Sequence, residues 1–233
     1  MSNFLRVAAA LLLAVLAIWA LQNAALHQRL SQPGAKPIAT PMAASQNPAN
    51  REAQAPLDPL YAMVKIPERL PDFTLANRDG KPTSIAAWRG KSLILNFWAT
   101  WCAPCRREIP ILESLDIQWK PRDVAVIGIA VDHRDEVLAF AETFHITYPL
   151  LIGEQDALDA AAAVGVDSPV FPFTVFTDRR GEVVAVFVGE LHRPQADLIL
   201  KEVKDIDDDR IALPAARRAI AAGLDSLRAQ EAG

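Results

Sequence analysis

Cysteine is scarce: the 233-residue chain has two, Cys102 and Cys105. A single pair set three positions apart excludes a small fold stapled by several bridges, so the thiols must act locally. Basic clusters are also missing. No run of lysine and arginine exceeds a pair and the formal net charge is −4, which argues against a nucleic-acid surface, whose affinity rests on neutralising phosphates. Histidine is thin as well, with four scattered residues. A Cys-x-x-Cys needs two further ligands to become a structural zinc site, and these histidines do not supply them. His133 and His192 are given no role, and the sequence calls for no metal and no cofactor. The acidic run Asp205–Asp209 lacks the ligand order of a calcium loop and reads as a solvated helix end.

Hydrophobic residues make up 51% of the chain and charged residues 22%, enough for one packed domain with a remainder of tails and linkers. The remainder starts at the N-terminus. One basic residue, Arg6, precedes an apolar run from Val7 to Leu21, which reaches Leu26 through the weakly polar Gln22-Asn23. The shorter length suits a signal-peptide core and the longer one a bilayer span. Small residues do not stand cleanly at both positions of a cleavage site here, so a retained anchor over residues 1–26 is the expectation, with Arg6 inside and the rest of the chain outside. Between residues 27 and 56, five prolines among Ala, Ser, Gln and Asn leave little to bury, and the stretch 27–66 reads as a tether.

Periodicity then turns to that of a folded core, expected over residues 67–204. Pro71–Leu75, the turn Asn77–Gly80 and a second segment ending at Gly90 predict a hairpin. Ser92–Trp98 and Val124–Val131 are nearly continuous apolar runs, as for strands covered on both faces, and Tyr148–Ile152 is a third. Helices are expected over Ala103–Gln118, Asp135–Phe144, Asp156–Val164 and Arg193–Lys204, and a second hairpin over Phe173–Val188. Strand and helix alternate, which implies α/β architecture: a mixed sheet flanked by helices. Beyond it, residues 205–233 carry the acidic run and then Ile220, Leu224 and Leu227 at helical spacing, an appended amphipathic helix that packs on the domain or meets a partner.

The chemistry sits where the first buried strand meets the first helix. Trp101-Cys102-Ala103-Pro104-Cys105 places Cys102 at the helix N-terminus and Cys105 one turn further in. Unpaired N–H groups and the positive end of the helix dipole favour a thiolate there, so Cys102 is the expected nucleophile. Its attack on a disulfide gives a mixed disulfide, which Cys105 resolves; run backwards, the same steps oxidise a dithiol.

The stretch Asn96-Phe-Trp-Ala-Thr-Trp-Cys-Ala-Pro-Cys-Arg-Arg-Glu-Ile-Pro110 resembles the membrane-anchored TlpA/ResA-type thioredoxin-like proteins. The resemblance extends over roughly Pro71 to Lys204, through the opening Pro-Asp-Phe-Thr-Leu, the Arg-Gly-Lys before the first core strand, and a proline five residues after the second cysteine. It implies a thioredoxin fold with an N-terminal β-hairpin and a C-terminal helical extension. It also implies a cis-proline opposite the cysteines. Phe171-Pro172 holds that position, since Pro172 directly precedes Phe-Thr-Val-Phe, with Pro169 as the nearest rival. Trp101, Pro104, Phe171 and Pro172 are then the groove for a partner's backbone, and Trp98 is packing.

Asn96 cannot accept the proton that the resolving thiol must lose. Glu108 matches a glutamate of the resembled family and is the candidate for that step, beside its plainer reading as a solvated early-helix residue. A peroxidase pattern fails, because Leu95 and Ala99 stand where proline and threonine are needed. The function implied is an extracytoplasmic thiol:disulfide oxidoreductase at the inner membrane, facing the periplasm and kept reduced by a membrane thiol donor. Its partners are protein disulfides in cytochrome c maturation or oxidase copper-site assembly. The same thiols would serve an oxidase or isomerase, and a pair of thiolates would also hold Cu(I) in a copper-binding assembly factor.

Overall fold

A computed structural model of the chain describes residues 66–167 and 170–231. The expected anchor, the tether up to residue 65, and Pro169 lie outside these residues. Among the described residues no helix is long and apolar enough to cross a membrane. Two compact units divide the chain at Ala53/Gln54, and everything described belongs to the second.

Seven strands and five α-helices follow one another as β1 Thr74–Asn77, β2 Pro82–Ser84, β3 Ser92–Trp98, α1 Ala103–Trp119, β4 Val124–Val131, α2 Arg134–Thr143, β5 Leu150–Gly153, α3 Gln155–Ala163, β6 Phe173–Thr177, β7 Val183–Val188, α4 Arg193–Asp207 and α5 Leu213–Glu231. They form one sheet in the order β2-β1-β5-β4-β3-β6-β7. β3, β4 and β5 run parallel, as strands joined by helical crossovers do, while the two outer hairpins are antiparallel. The architecture is the expected mixed sheet with helices on both faces.

Alternation along each strand divides the core in two. Ile94, Trp98, Val126, Ala130 and Phe176 face α1, α2, α4 and α5. Leu95, Phe97, Ile127, Ile129 and Val175 face the other way, onto α3 and the residues around the first hairpin. Within the first face, Asn96 stands between Gly128 of β4 and Thr174 of β6 in the register of the sheet. A Cβ on Gly128 would fall 2.6 Å from Leu150 and 3.0 Å from the Trp98 indole nitrogen, so only glycine fits beneath these side chains.

Three local expectations change, and one left open is decided. The second segment of the first hairpin is a strand of three residues followed by a 3-10 turn over Ile85–Trp88, capped by Ser84, whose Oγ accepts from the Ala86 N–H at 3.1 Å. β5 starts at Leu150 rather than Tyr148, because Arg78 takes the carbonyls of Ile146 and Tyr148 at 2.6 and 3.2 Å. α4 runs through Asp207, and the acidic run is not wholly a solvated helix end. Asp207 is buried, accepting from Ser92 Oγ at 2.5 Å and from the Arg179 N–H at 3.0 Å. The C-terminal helix packs on the domain itself: Ala216, Ile220 and Leu224 are buried in the same core as Ile199, Val203 and Ile206 of α4.

Candidate active site

β3 is parallel to β4 and antiparallel to β6, so the end of β3, the start of α1 and the approach to β6 meet at one pole of the sheet. Cys102 and Cys105 are joined there by a disulfide, with Cα atoms 5.3 Å apart. Cys102 caps α1: its backbone is extended, and its Sγ accepts from the Cys105 N–H at 3.2 Å. That contact uses an otherwise unpaired donor of the first helical turn and would favour charge on this sulfur once the bridge opens. Pro104 fits the first turn because it has no N–H to satisfy. Thr100, just before the motif, is fixed by Asp132 at the end of β4, which accepts from both its N–H and its hydroxyl.

The peptide bond Phe171-Pro172 is cis. Pro172 is buried and Phe171 half-buried, and the Phe171 ring meets Trp101 edge-on at 6.1 Å between centroids. Trp101 itself is 69% exposed and Val170 60%. An apolar rim therefore borders the disulfide on its β6 side. Trp98, in contrast, is buried beneath α1 and touches Phe140 of α2.

Glu108 is fully buried, which rules out its solvated reading. It follows Cys105 by three residues and shares with it the inward stripe Cys105, Glu108, Ile109, Leu112, Leu115, Asp116. Its Oε1 accepts from Asn96 Nδ2 at 2.7 Å and its Oε2 from the Leu191 N–H at 2.8 Å. The second amide hydrogen of Asn96 goes to Thr174 Oγ1 at 3.1 Å, two residues after the cis-proline. Burial pushes the Glu108 carboxyl up to about 7, against the pull of these two hydrogen bonds, and the charge of nearby Glu190 adds to the push. Outside, Arg107 clasps Glu190 through Nε at 2.9 and 3.0 Å and holds that carboxylate below its ordinary range. Adjacent residues of α1 thus tie both the surface and the interior of the loop after β7.

Sequence reasoning named both cysteines, Glu108, Trp101, Pro104, Phe171 and Pro172, and all seven lie at this pole. It missed Thr174, Leu191 and the Arg107–Glu190 clasp. Helical periodicity alone would have put Glu108 on the buried stripe; the Leu191 N–H has no side-chain signature.

A Redoxin family model matches residues 65–205, more than half of the chain. The thiol-disulfide oxidoreductase ResA of Geobacillus kaustophilus is 33% identical over 142 residues, covering 60% of this chain and 79% of that protein. The thioredoxin-like protein YneN of Bacillus subtilis is 32% identical over 136 residues, covering 56% and 75%. Among solved structures, that of a candidate protein disulfide isomerase from Bacteroides thetaiotaomicron superposes with a TM-score of 0.55 at 31% identity, covering 63% of this chain and 92% of that one. The sheet and helices described above are a thioredoxin-like fold. With its Cys-x-x-Cys bridge at the head of α1, the chain belongs to the Redoxin family and is a thiol-disulfide oxidoreductase of the ResA type.

Proposed function

We propose that the protein works outside the cytoplasm, held at the inner membrane by its N-terminal apolar run, as a reductase of disulfides in partner proteins. Cytochrome c maturation or a related assembly is its outlet. The observation that carries the reductive chemistry is the bridge at the N-cap of α1, with a buried carboxyl of near-neutral pKa one turn along the same stripe. The anchor and the outlet rest on the apolar run from Val7 and on the likeness of the motif to the TlpA/ResA-type proteins.

In the reduced protein the Cys102 thiolate attacks one sulfur of the partner's disulfide, and the other sulfur leaves as a thiolate that takes up a proton. Cys105 then gives its proton to the Glu108 carboxylate and attacks Cys102 Sγ, which breaks the mixed disulfide and releases the partner's second sulfur as thiolate. Two electrons pass to the partner, and the protein is left with the Cys102–Cys105 bond of this structure. A membrane dithiol donor restores the thiols. Trp101, Pro104, Phe171 and Pro172 form the groove in which the partner's chain lies.

The test is the reduction potential of the pair in the full chain, equilibrated in thiol buffers and followed by tryptophan fluorescence. A value near that of thioredoxin, about −270 mV, supports a reductant; one near about −120 mV makes the protein a disulfide donor and overturns the direction. Cys102→Ala should abolish exchange, whereas Cys105→Ala should accumulate partners as mixed disulfides on non-reducing gels.

A further inference from the structure

The disulfide has a second flank, on the α2 side, that the groove does not include. β3 lies between β4 and β6, so α2, which follows β4, borders the start of α1 across from the cis-proline loop. There Phe140 and Phe144 stack at 4.1 Å between centroids, both half-buried, and the exposed Arg106 guanidinium sits over them at 5.7 and 5.3 Å. Arg106 directly follows Cys105 in the chain. Its neighbour Arg107 is neutralised by Glu190, but no carboxylate among the described residues lies within ion-pair distance of Arg106. Glu136 and Glu142, exposed on α2, are both outside that distance.

We infer that Arg106, seated on the Phe140–Phe144 stack, is a recognition site for a carboxylate of the partner protein, and that preferred partners carry Asp or Glu within a few residues of the target cysteine. This rests on the oxidoreductase reading and adds a substrate preference to it. Three features favour an acidic occupant. Arginine pairs with carboxylates through a planar fork of donors. The ring contacts hold the guanidinium in place, so less side-chain freedom is lost when a partner binds. The rim opposite, made of Trp101, Val170 and Phe171, is apolar, so Arg106 supplies the uncompensated charge that a docking segment meets beside the disulfide.

The test uses the full chain, reduced and freed of reductant, and three symmetric peptide disulfides that differ only in carrying Asp, Asn or Lys next to the cysteine. Each reaction oxidises the Cys102/Cys105 dithiol and yields two peptide thiols, and its rate is read by stopped-flow tryptophan fluorescence. At low salt the Asp peptide should react about tenfold faster than the Lys peptide, and the ratio should shrink at high salt. Arg106→Gln should bring the ratio below about twofold. Equal rates for Asp and Lys in the wild type, or an unchanged ratio in Arg106→Gln, would overturn the assignment while leaving the oxidoreductase reading in place. Failure of all three peptides to oxidise the protein would remove that reading and this one together.

Discussion

A carboxyl buried as deeply as Glu108 must be held charged by donors or give up its charge. Here two neutral donors face it, the Asn96 amide and the Leu191 N–H, and no cation among the described residues pairs with it. They only partly offset desolvation, so the group titrates near 7 instead of in the ordinary carboxylate range. Asn96 suits both states. Its amide nitrogen donates to the carboxylate, and after half a turn its oxygen would accept from the protonated acid, with Thr174 able to serve either arrangement. Such a group can receive a proton at neutral pH, and two outcomes follow. In single-turnover exchange, Glu108→Gln should slow resolution of the mixed disulfide by about tenfold or more while leaving its formation little changed. A variant that resolves as fast as the wild type would remove Glu108 from the mechanism. The second outcome concerns stability. Because the folded-state pKa is raised, the native protein retains a proton that the unfolded chain has released. The contribution is therefore complete below the ordinary carboxylate pKa and is lost as pH rises through about 7, on the order of a few kcal/mol in all. Urea titrations of the oxidised protein from pH 5 to 8 should show this decline in the wild type and a flatter profile in Glu108→Gln.

Among the elements, α1 and α4 show what patterning reveals and what it hides. The strand-to-helix junction that places the cysteines is legible because Ser92–Trp98 is apolar throughout and the helix starts at a cysteine followed by Ala-Pro. The cis bond at Pro172 was legible through resemblance alone, since the residue types around it do not specify the isomer. Asp207 was obscured by composition: in a run of four aspartates within five residues, each one reads as solvent-facing. Asp205 and Asp208 do pair with Lys201, Lys204 and Arg210 at the surface. Asp207, however, lies four residues after Val203 and seven after Leu200, on the buried side of the same helix. From there it fastens the first residue of β3 and the turn between β6 and β7. Asp207→Ala would leave the Ser92 hydroxyl and the Arg179 N–H without this acceptor, and should lower stability by about 2 to 3 kcal/mol in urea denaturation. Ser92→Ala on top of it should cost less than it does alone, because the pair is already broken. Strict additivity of the two changes would show that the bond contributes nothing.

At the scale of the whole molecule, the described chain enters at the pole opposite the disulfide. Leu70 N donates to Gly181 O at 2.8 Å and Val183 N to Glu68 O at 3.0 Å, at the end of the sheet where β6 finishes and β7 begins. The same end of β7 is covered a second time by α5, whose Arg217 donates to the Val183 carbonyl at 2.5 Å. These contacts occupy backbone groups of an edge strand that would otherwise invite pairing with another chain. α5 also closes the core over α4, where Gly223 comes so close to Leu198 that a Cβ would lie 2.6 Å from it. The helix is thus part of the domain's packing, although a family pattern ending near residue 205 would leave it out. Its large buried side chains, Ile220 and Leu224, each stabilise by roughly 1.5–3 kcal/mol, a substantial share of the ~5–15 kcal/mol that holds a domain together. Ile220→Ala should therefore cost about 2–5 kcal/mol, read as a lower denaturation midpoint at unchanged slope. Because none of the contacts described at the bridge involves Ile220, the reduction potential of the folded variant should stay where the wild type has it. A chain lacking residues 213–233 should lose more stability and bind an apolar dye at its uncovered face. If both variants unfold at the wild-type midpoint, α5 is not a structural part of the domain, and its amphipathic face would have to be assigned to a partner instead.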